Sequence, residues 1–373
     1  MTNSYPAPSR RLTASMVTQK TLRNQLATLM RWWRDPVPAI PLPRLSLALQ
    51  GGGAHGAFTW GVLDALLAES ALDFDALSGS SAGAINAVVM TQGWIMGGRQ
   101  GARQALSDFW LDVGKQIPWP LITRGNGESI NLTPATKMLA NWVGLFSPNN
   151  LNPMGINPLR DLLNKHVDFE QIRRMSPFQL FVGATHVNTG KLRLFREHEL
   201  TVDMVLASSC LPKIHHTVEI NGEPYWDGGF SANPAVFPLV QDGKSNDVLL
   251  VLLAPHLHDE TPQTMEAIES RIQELGFKTH FLREMNMYAR ELATSTSLNI
   301  RWRSGVNEME QTRFHMIDST LNVLQRSETK VLAYTPFLAM LMEQGRAQAK
   351  NWLAAHAASV GKCSSVDLTQ WLG

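Results

Sequence analysis

The chain has 373 residues, 44% of them hydrophobic and 17% charged, and a formal net charge of +1 at pH 7. This length buries a sizeable core, the composition excludes disorder, and the near balance of charge argues against bulk nucleic-acid binding. Two cysteines, Cys210 and Cys363, exclude a disulfide framework and a cysteine-rich metal cluster, and fit a reducing, cytoplasmic setting.

Residues 1–44 stand apart from the rest. No acidic residue precedes Asp35, whereas Arg10, Arg11, Lys20, Arg23, Arg31 and Arg34 are basic. Val17, Leu22, Leu26, Leu29, Met30, Trp32 and Trp33 interleave at near-helical spacing. A basic amphipathic segment over 10–34 suits peripheral contact with an anionic membrane. A helix packed on the domain, a disordered tail or an organellar targeting segment has similar composition. Pro36, Pro38, Pro41 and Pro43 then form a stiff spacer. No stretch reaches the ~18 apolar residues of a membrane span, and the apolar core of a secretory signal is missing.

From residue 45 strands and helices alternate. Residues 45–50 read as a buried strand, 54–68 as a helix with Val62, Leu63, Leu66 and Leu67 on one side, 76–78 as a short strand and 84–92 as a helix. Between 93 and 158 the pattern breaks up, with Trp94, Trp110, Trp119, Trp142 and Phe146 among glycines and prolines. That aromatic-rich, loop-rich insertion is either a lid or acyl-chain wall, or a cover for the sheet. Strands are expected at 179–184 and 191–196 across a turn at 188–190, then a helix at 202–208. A hairpin follows, 217–220 and 223–226 around Asn221-Gly222. An aliphatic run at 247–253 reads as a central strand and 313–317 as a weaker one. The chain is largely helical from 264, and 336–357 reads as a terminal helix. The class is α/β with a mixed sheet: a catalytic domain over 45–255, completed by a mainly helical part over 256–373.

Three short blocks carry the chemistry. Gly79-Ser80-Ser81-Ala82-Gly83 reads Gly-x-Ser-x-Gly, which sets Ser81 at the apex of a sharp strand-to-helix turn with its hydroxyl exposed. Gly79 and Gly83 allow the tight backbone, and Ser80, one residue off the apex, is expected to be dispensable. Upstream, Gly51-Gly52-Gly53-Ala54-His55-Gly56 offers a run of backbone N–H groups at a strand end, suited to holding an ester oxyanion. Asp227, in Trp226-Asp227-Gly228-Gly229, ends a strand, and Gly228 and Gly229 leave it little steric obstruction. A carboxylate hydrogen-bonded to a serine hydroxyl can take its proton as the new bond to carbon forms.

Other readings compete. Gly51-x-Gly53-x-x-Gly56 also matches a dinucleotide fingerprint, but Asp73 and Asp75 precede the second strand instead of ending it. His186, His215, His216, His256 and His258 sit at or beyond strand ends, with a spacing that fits no familiar tetrahedral site, so no metal is expected. In a Ser-His-Asp hydrolase the base would be His256 or His258.

The three blocks, in this order, resemble the patatin-like phospholipase family. Gly83-Ala84-Ile85-Asn86-Ala87, Ala207-Ser208-Ser209-Cys210-Leu211-Pro212 and Asn233-Pro234 match its pattern as well, and the likeness runs from about Leu45 to Leu253. It implies a three-layer fold with a central mixed β-sheet flanked by helices. It also implies a lipid acyl hydrolase with a Ser81–Asp227 dyad, an oxyanion hole on Gly51, Gly52 and Gly53, a lipid or other ester as substrate, and no cofactor. One residue departs: His55 stands where the family usually has Arg or Lys. Because the donors are main-chain, position 55 is expected to be tolerant, and the weakened cation bears on the phospholipid head group more than on hydrolysis. The alternative from another class is a peripheral membrane or scaffold protein with a vestigial site.

Overall fold

The computed structural model describes residues 42–116, 123–125, 127–143, 147–253, 261–297, 311–319 and 321–372. The basic segment 10–34, Trp119, Phe146, His256 and His258 lie outside them. Pro43–Gly373 form one compact unit.

In chain order the strands of the main sheet are β1 (Arg44–Leu49), β2 (Asp73–Ser80), β3 (Gln179–His186), β4 (Leu192–Arg196), β5 (Val218–Ile220), β6 (Glu223–Asp227), β7 (Asp247–Val251) and β8 (Arg313–Ile317). Their spatial order is β8-β7-β1-β2-β3-β6-β5, with β4 also paired to β3. β8, β7, β1, β2 and β3 run parallel; β4, β6 and β5 are antiparallel to their neighbours. The sheet is therefore mixed. β1 and β7 are buried on both faces, which explains the aliphatic run Val248–Val251 of β7 and the burial in β1 of Ser46 along with its leucines.

The principal helices are α1 (Gly56–Ala68), α2 (Ala82–Gly114), α3 (Val202–Ser208), α4 (Met265–Ser297) and α5 (Thr335–His356). Strand periodicity sorts them into layers. Leu45, Leu47 and Leu49 of β1, with Leu249 and Val251 of β7, face a core shared with α1, α2, α3 and α5. Ala48, Val248 and Leu250 face the opposite side, where Phe281, Met285 and Tyr288 of α4 pack with Phe314 and Trp371. Two helical layers thus enclose one sheet. The C-terminal part is integral to it: β8 extends the sheet beside β7, and α5 lies backbone to backbone on α1. A Cβ at Gly61 would stand 1.9 Å from the Met342 carbonyl oxygen, and one at Gly345 2.0 Å from that of Phe58.

The 93–158 stretch is less loop-rich than its composition implies. α2 continues to Gly114 and is broken only at Gly97 and Gly98, whose backbone is non-helical. Its second half returns Ala102, Leu106, Phe109 and Trp110 to the core. Trp94 packs edge-on against Phe178 and Phe74, with ring centroids at 5.0 and 6.0 Å. Both tryptophans thus pack on the main core, and Trp110 also lies against Gly56, where a Cβ would stand 2.9 Å from its ring. Further on, short helices at Pro134–Val143, Pro158–His166 and Phe169–Met175 fill the excursion before β3.

Candidate active site

β2 ends at Ser80 and α2 begins at Ala82, which leaves Ser81 alone in the turn with φ 55° and ψ −126°. A non-glycine residue held there costs about 1–3 kcal/mol and needs support from its surroundings. Its N–H donates to the hydroxyl (3.0 Å) and carbonyl (3.1 Å) of Ser208, the last residue of α3. Gly83 lies so close to β1 that a Cβ would stand 2.1 Å from the Leu49 carbonyl oxygen. A Cβ on Gly79 would in turn stand 2.5 Å from Gly83. Ser81 is half-buried. Ser80 points away from it, fully buried, and donates its hydroxyl hydrogen to the Ala232 carbonyl at 2.6 Å.

Asp227 reaches Ser81 through β3. Ser80 pairs with Gly183, and Asp227 pairs with the next residue, Ala184. The Asp227 side chain is 1% exposed, and its carboxylate accepts a hydrogen bond from the Gly229 N–H (2.8 Å). Burial pushes its pKa up to about 7, while that hydrogen bond, the neighbouring Ser81 hydroxyl and the charge of Lys330 pull the other way. The glycines after it are packed closely: a Cβ on Gly228 would stand 2.1 Å from the Gly183 carbonyl oxygen, and one on Gly229 2.2 Å from the Phe277 ring of α4. Cys210, whose carbonyl accepts from the Asp227 N–H at 2.8 Å, is buried with its thiol on the His216 carbonyl. Burial pushes that thiol up to about 11, so Cys210 packs and does not react at neutral pH.

The glycine loop lies against the serine. A Cβ at Gly51 would stand 2.9 Å from that of Ser81 and 2.3 Å from the Ser80 carbonyl oxygen. Asn233 clamps this residue from both sides, its Oδ1 accepting from the Gly51 N–H (2.7 Å) and its Nδ2 donating to the Gly51 carbonyl (3.2 Å). Of the three glycines expected to supply oxyanion donors, Gly51 is therefore already engaged. Gly52 and Gly53 lead into the short 3₁₀ turn Gly53–His55, whose first N–H groups have no partner inside the turn. Gly56 opens α1 and gives its carbonyl to Asn86 Nδ2 at 3.0 Å.

His55 is not a surface residue. It is fully buried, edge-on to Phe337, and donates Nε2–H to Thr329 Oγ1 at 2.8 Å. That hydroxyl spends its own hydrogen on the carbonyls of Val323 and Arg326, which fixes the direction. Nδ1 is buried with no partner among the described residues. Burial, with Lys330 and Arg326 nearby, holds the ring well below the usual histidine range, hence neutral. The expectation that position 55 is tolerant is thereby corrected: its chemistry is main-chain, but its side chain is core.

Three of the other candidate histidines lie among the described residues, and their rings bond neighbouring groups. His186 bonds Glu223 and Thr189, His215 accepts from the Leu211 N–H, and His216 meets the Pro148 carbonyl. A Ser-His-Asp chain of contacts does occur, Ser365 to His315 Nδ1 (2.9 Å) and His315 Nε2 to Asp247 (3.0 Å). Asp247 begins β7, at the end of the parallel strands opposite to Ser81, and it also holds Arg313 and the Gly361 N–H. This cluster pins the C-terminal segment to the sheet. Asp73 and Asp75, expected to precede the second strand, instead lie within β2, and Asp75 accepts from the N–H groups of Lys244 and Ser245. Ser208 lies in the Ala207–Pro212 block that the sequence offered, but Thr329 and Lys330 had no sequence signal, because each meets the site only through a long-range contact.

Among the described residues no helix is long and apolar enough to cross a membrane. No curated protein matches the chain. Among solved structures it is similar to VipD from Legionella pneumophila, with 14% identity and a TM-score of 0.41 over 84% of this chain and 67% of that one. The family model described as patatin-like phospholipase matches residues 47–240, a little over half of the sequence and the stretch that holds the glycine loop, the serine elbow and Asp227. The chain belongs to the patatin-like phospholipase family.

Proposed function

We propose that this protein is a serine hydrolase of lipid carboxylic esters working through a Ser81–Asp227 dyad. The observation that supports the reading is the strand register that sets half-buried Ser81 beside a buried carboxylate, its pKa pushed up to about 7, beneath a glycine loop. A group with that pKa can both accept and return a proton near neutral pH. In the first step Ser81 Oγ bonds to the ester carbonyl carbon, its proton passes to Asp227, and the carbonyl electrons move onto oxygen. The Gly52 and Gly53 N–H groups hold that oxyanion, while Asn233 fixes the loop through Gly51. Collapse expels the alcohol with the proton from Asp227. Water then attacks the acyl-enzyme, Asp227 takes its proton, and the acid leaves as Ser81 is restored. No cofactor enters this scheme.

The same reading gives the basic segment 10–34 the task of holding the enzyme on an anionic lipid surface. Purified protein assayed on esters from short nitrophenyl esters to phospholipids, beside Ser81→Ala, tests the function. Turnover of any ester that disappears in Ser81→Ala supports it; equal turnover in both contradicts it.

A further inference from the structure

Two closed turns stand beside the segment that supports the site. The first spans 152–156. Asn152 grips Ile156 from both sides, its Oδ1 accepting from the Ile156 N–H at 3.0 Å and its Nδ2 donating to the Ile156 carbonyl at 2.8 Å. Gly155 turns the chain at φ +62° and donates its N–H to the Asn152 carbonyl at 2.9 Å. The second spans 211–215. There the Leu211 carbonyl accepts from the N–H groups of Ile214 (2.9 Å) and His215 (2.8 Å), and the Leu211 N–H donates to His215 Nδ1 at 3.3 Å. This turn follows directly on Ser208 and Cys210, whose carbonyls hold the N–H groups of Ser81 and Asp227.

His216 joins the two turns. Its Nε2–H donates to the Pro148 carbonyl at 3.2 Å, and a Cβ on Gly155 would stand 3.9 Å from its Nδ1. A cavity of about 240 Å³ opens between the turns, lined by Asn152, Ile156, Ile214, His215 and Thr217 among others. Thr217 in turn accepts from the Nε1–H of Trp226, the residue before Asp227, at 3.0 Å.

The turns present apolar side chains to water. Met154 is 84% exposed, the most exposed large apolar side chain among the described residues, with Ile156 at 65%, Ile214 at 51% and Leu151 at 46%. Such exposure is unfavourable, and an apolar patch at closed turns marks a contact surface. Its charge is one-sided. Neither 147–157 nor 209–218 contains an acid, and Lys213, exposed beside Ile214, is the single lysine or arginine in them. The acids that line the cavity, Asp203 and Glu219, belong to α3 and β5, and Asp203 is paired with Arg160 at 2.5 Å. Both stretches also lack Trp, Tyr and Arg, the residues that anchor most protein–protein interfaces. Apolar tips with a lysine and no acid are complementary to a lipid surface that carries negative phosphate.

We propose that the turns 152–156 and 211–215 form a lipid-docking face. Met154, Ile156 and Ile214 enter the boundary of the acyl layer, and Lys213 meets lipid phosphate. Unlike the basic segment 10–34, this face contributes mainly an apolar term, which salt does not screen. It brings the bilayer to the segment that holds Ser81 and Asp227, and it rests on the lipid-ester reading of that site.

The test is sedimentation of the full-length protein with vesicles of phosphatidylcholine and phosphatidylglycerol at high salt, where the basic segment is screened. A variant carrying Met154→Ser, Ile156→Ser and Ile214→Ser should partition about tenfold or more weakly than wild type. Its activity on the vesicles should fall in parallel, while hydrolysis of a soluble nitrophenyl ester stays at the wild-type rate. Partition equal to wild type in the folded triple variant overturns the proposal. If that variant does not fold, the single change Met154→Asp at the exposed tip decides: weaker partition supports the face, unchanged partition overturns it. An active Ser81→Ala would sink the hydrolase reading, a failure separable from the docking result because Ser81→Ala should sediment as wild type does.

Discussion

Ser81 and Asp227 are brought side by side because consecutive residues of β3 hold the two chain segments, Gly183 opposite Ser80 and Ala184 opposite Asp227. A slip of one residue in either pairing would turn the corresponding side chain to the other face of the sheet. The meeting of these two groups is therefore a property of strand register, and the tight glycines around it protect that register.

With Asp227 as base, kcat/KM on a soluble ester should rise about tenfold per pH unit below its pKa of about 7 and level off above it. Initial rates at low substrate between about pH 5 and about pH 9 measure this. A profile flat through neutrality would remove Asp227 from the step.

The same carboxylate should weaken the fold. Its folded pKa, about 7, lies above the ordinary 3.8, so between those values the folded chain keeps a proton that the unfolded chain releases. Stability therefore falls as pH rises through that window, and the loss is complete above about 7. Asp227→Asn escapes it. At about pH 8 the inactive variant should be more stable than wild type by about 1–3 kcal/mol, and the gap should close toward about pH 4. Denaturant midpoints at the two pH values decide. A variant less stable than wild type at the higher pH contradicts the burial argument.

The glycine loop should rank its own substitutions. Gly51→Ala meets the Ser80 carbonyl and Ser81, and Gly53→Ala meets Lys330 at a left-handed φ. Gly52 has an extended φ of 176°, and its added methyl meets the tip of Leu253 closely and the His55 Cβ at an ordinary 3.5 Å. Gly51→Ala and Gly53→Ala should each lower kcat about a hundredfold or more, Gly52→Ala far less. His55→Arg would bury a charge beside Lys330 and Arg326 and should destabilise by about 2–4 kcal/mol. Ester kinetics with thermal melts test both; a stable, fully active His55→Arg would contradict the buried environment.

Residues 10–34 carry six basic side chains and no acid, and each basic residue near an anionic surface contributes about 1 kcal/mol. Deleting residues 1–35 should leave hydrolysis of a soluble ester intact and reduce activity on anionic vesicles. Co-sedimentation of both forms at low and high salt checks it: the full-length form should pellet in a salt-sensitive way. Equal pelleting of the two forms would assign the segment another role.

Much of the site was legible because its chemistry is local in sequence. The serine elbow, the glycine loop and the Asp227 turn are contiguous blocks whose glycines mark places where the backbone must turn or touch. The same marker misled at Gly93 and Gly101, which read as loop. There a Cβ on Gly93 would stand 2.5 Å from the Gly101 carbonyl oxygen, so these glycines let the halves of α2 touch. β7 was legible as an aliphatic run after Asp247, the mark of a strand covered on both faces, and β1 as a mainly aliphatic stretch that also buries Ser46. What stayed hidden depends on long-range contact. Nothing near Thr329 or Lys330 announces a partner in the glycine loop, and the burial of His55 follows from docking by a turn 274 residues away.

A fluorophosphonate probe, followed by peptide mapping of the adduct, tests the central claim most directly. Ser81 is half-buried beside Asp227, whereas Ser80 is fully buried with its hydrogen on the Ala232 carbonyl. The probe should modify Ser81 alone, at a rate that falls sharply in Asp227→Asn, and should leave Ser81→Ala unlabelled. An adduct on Ser80, or undiminished labelling of Ser81→Ala, would contradict the account.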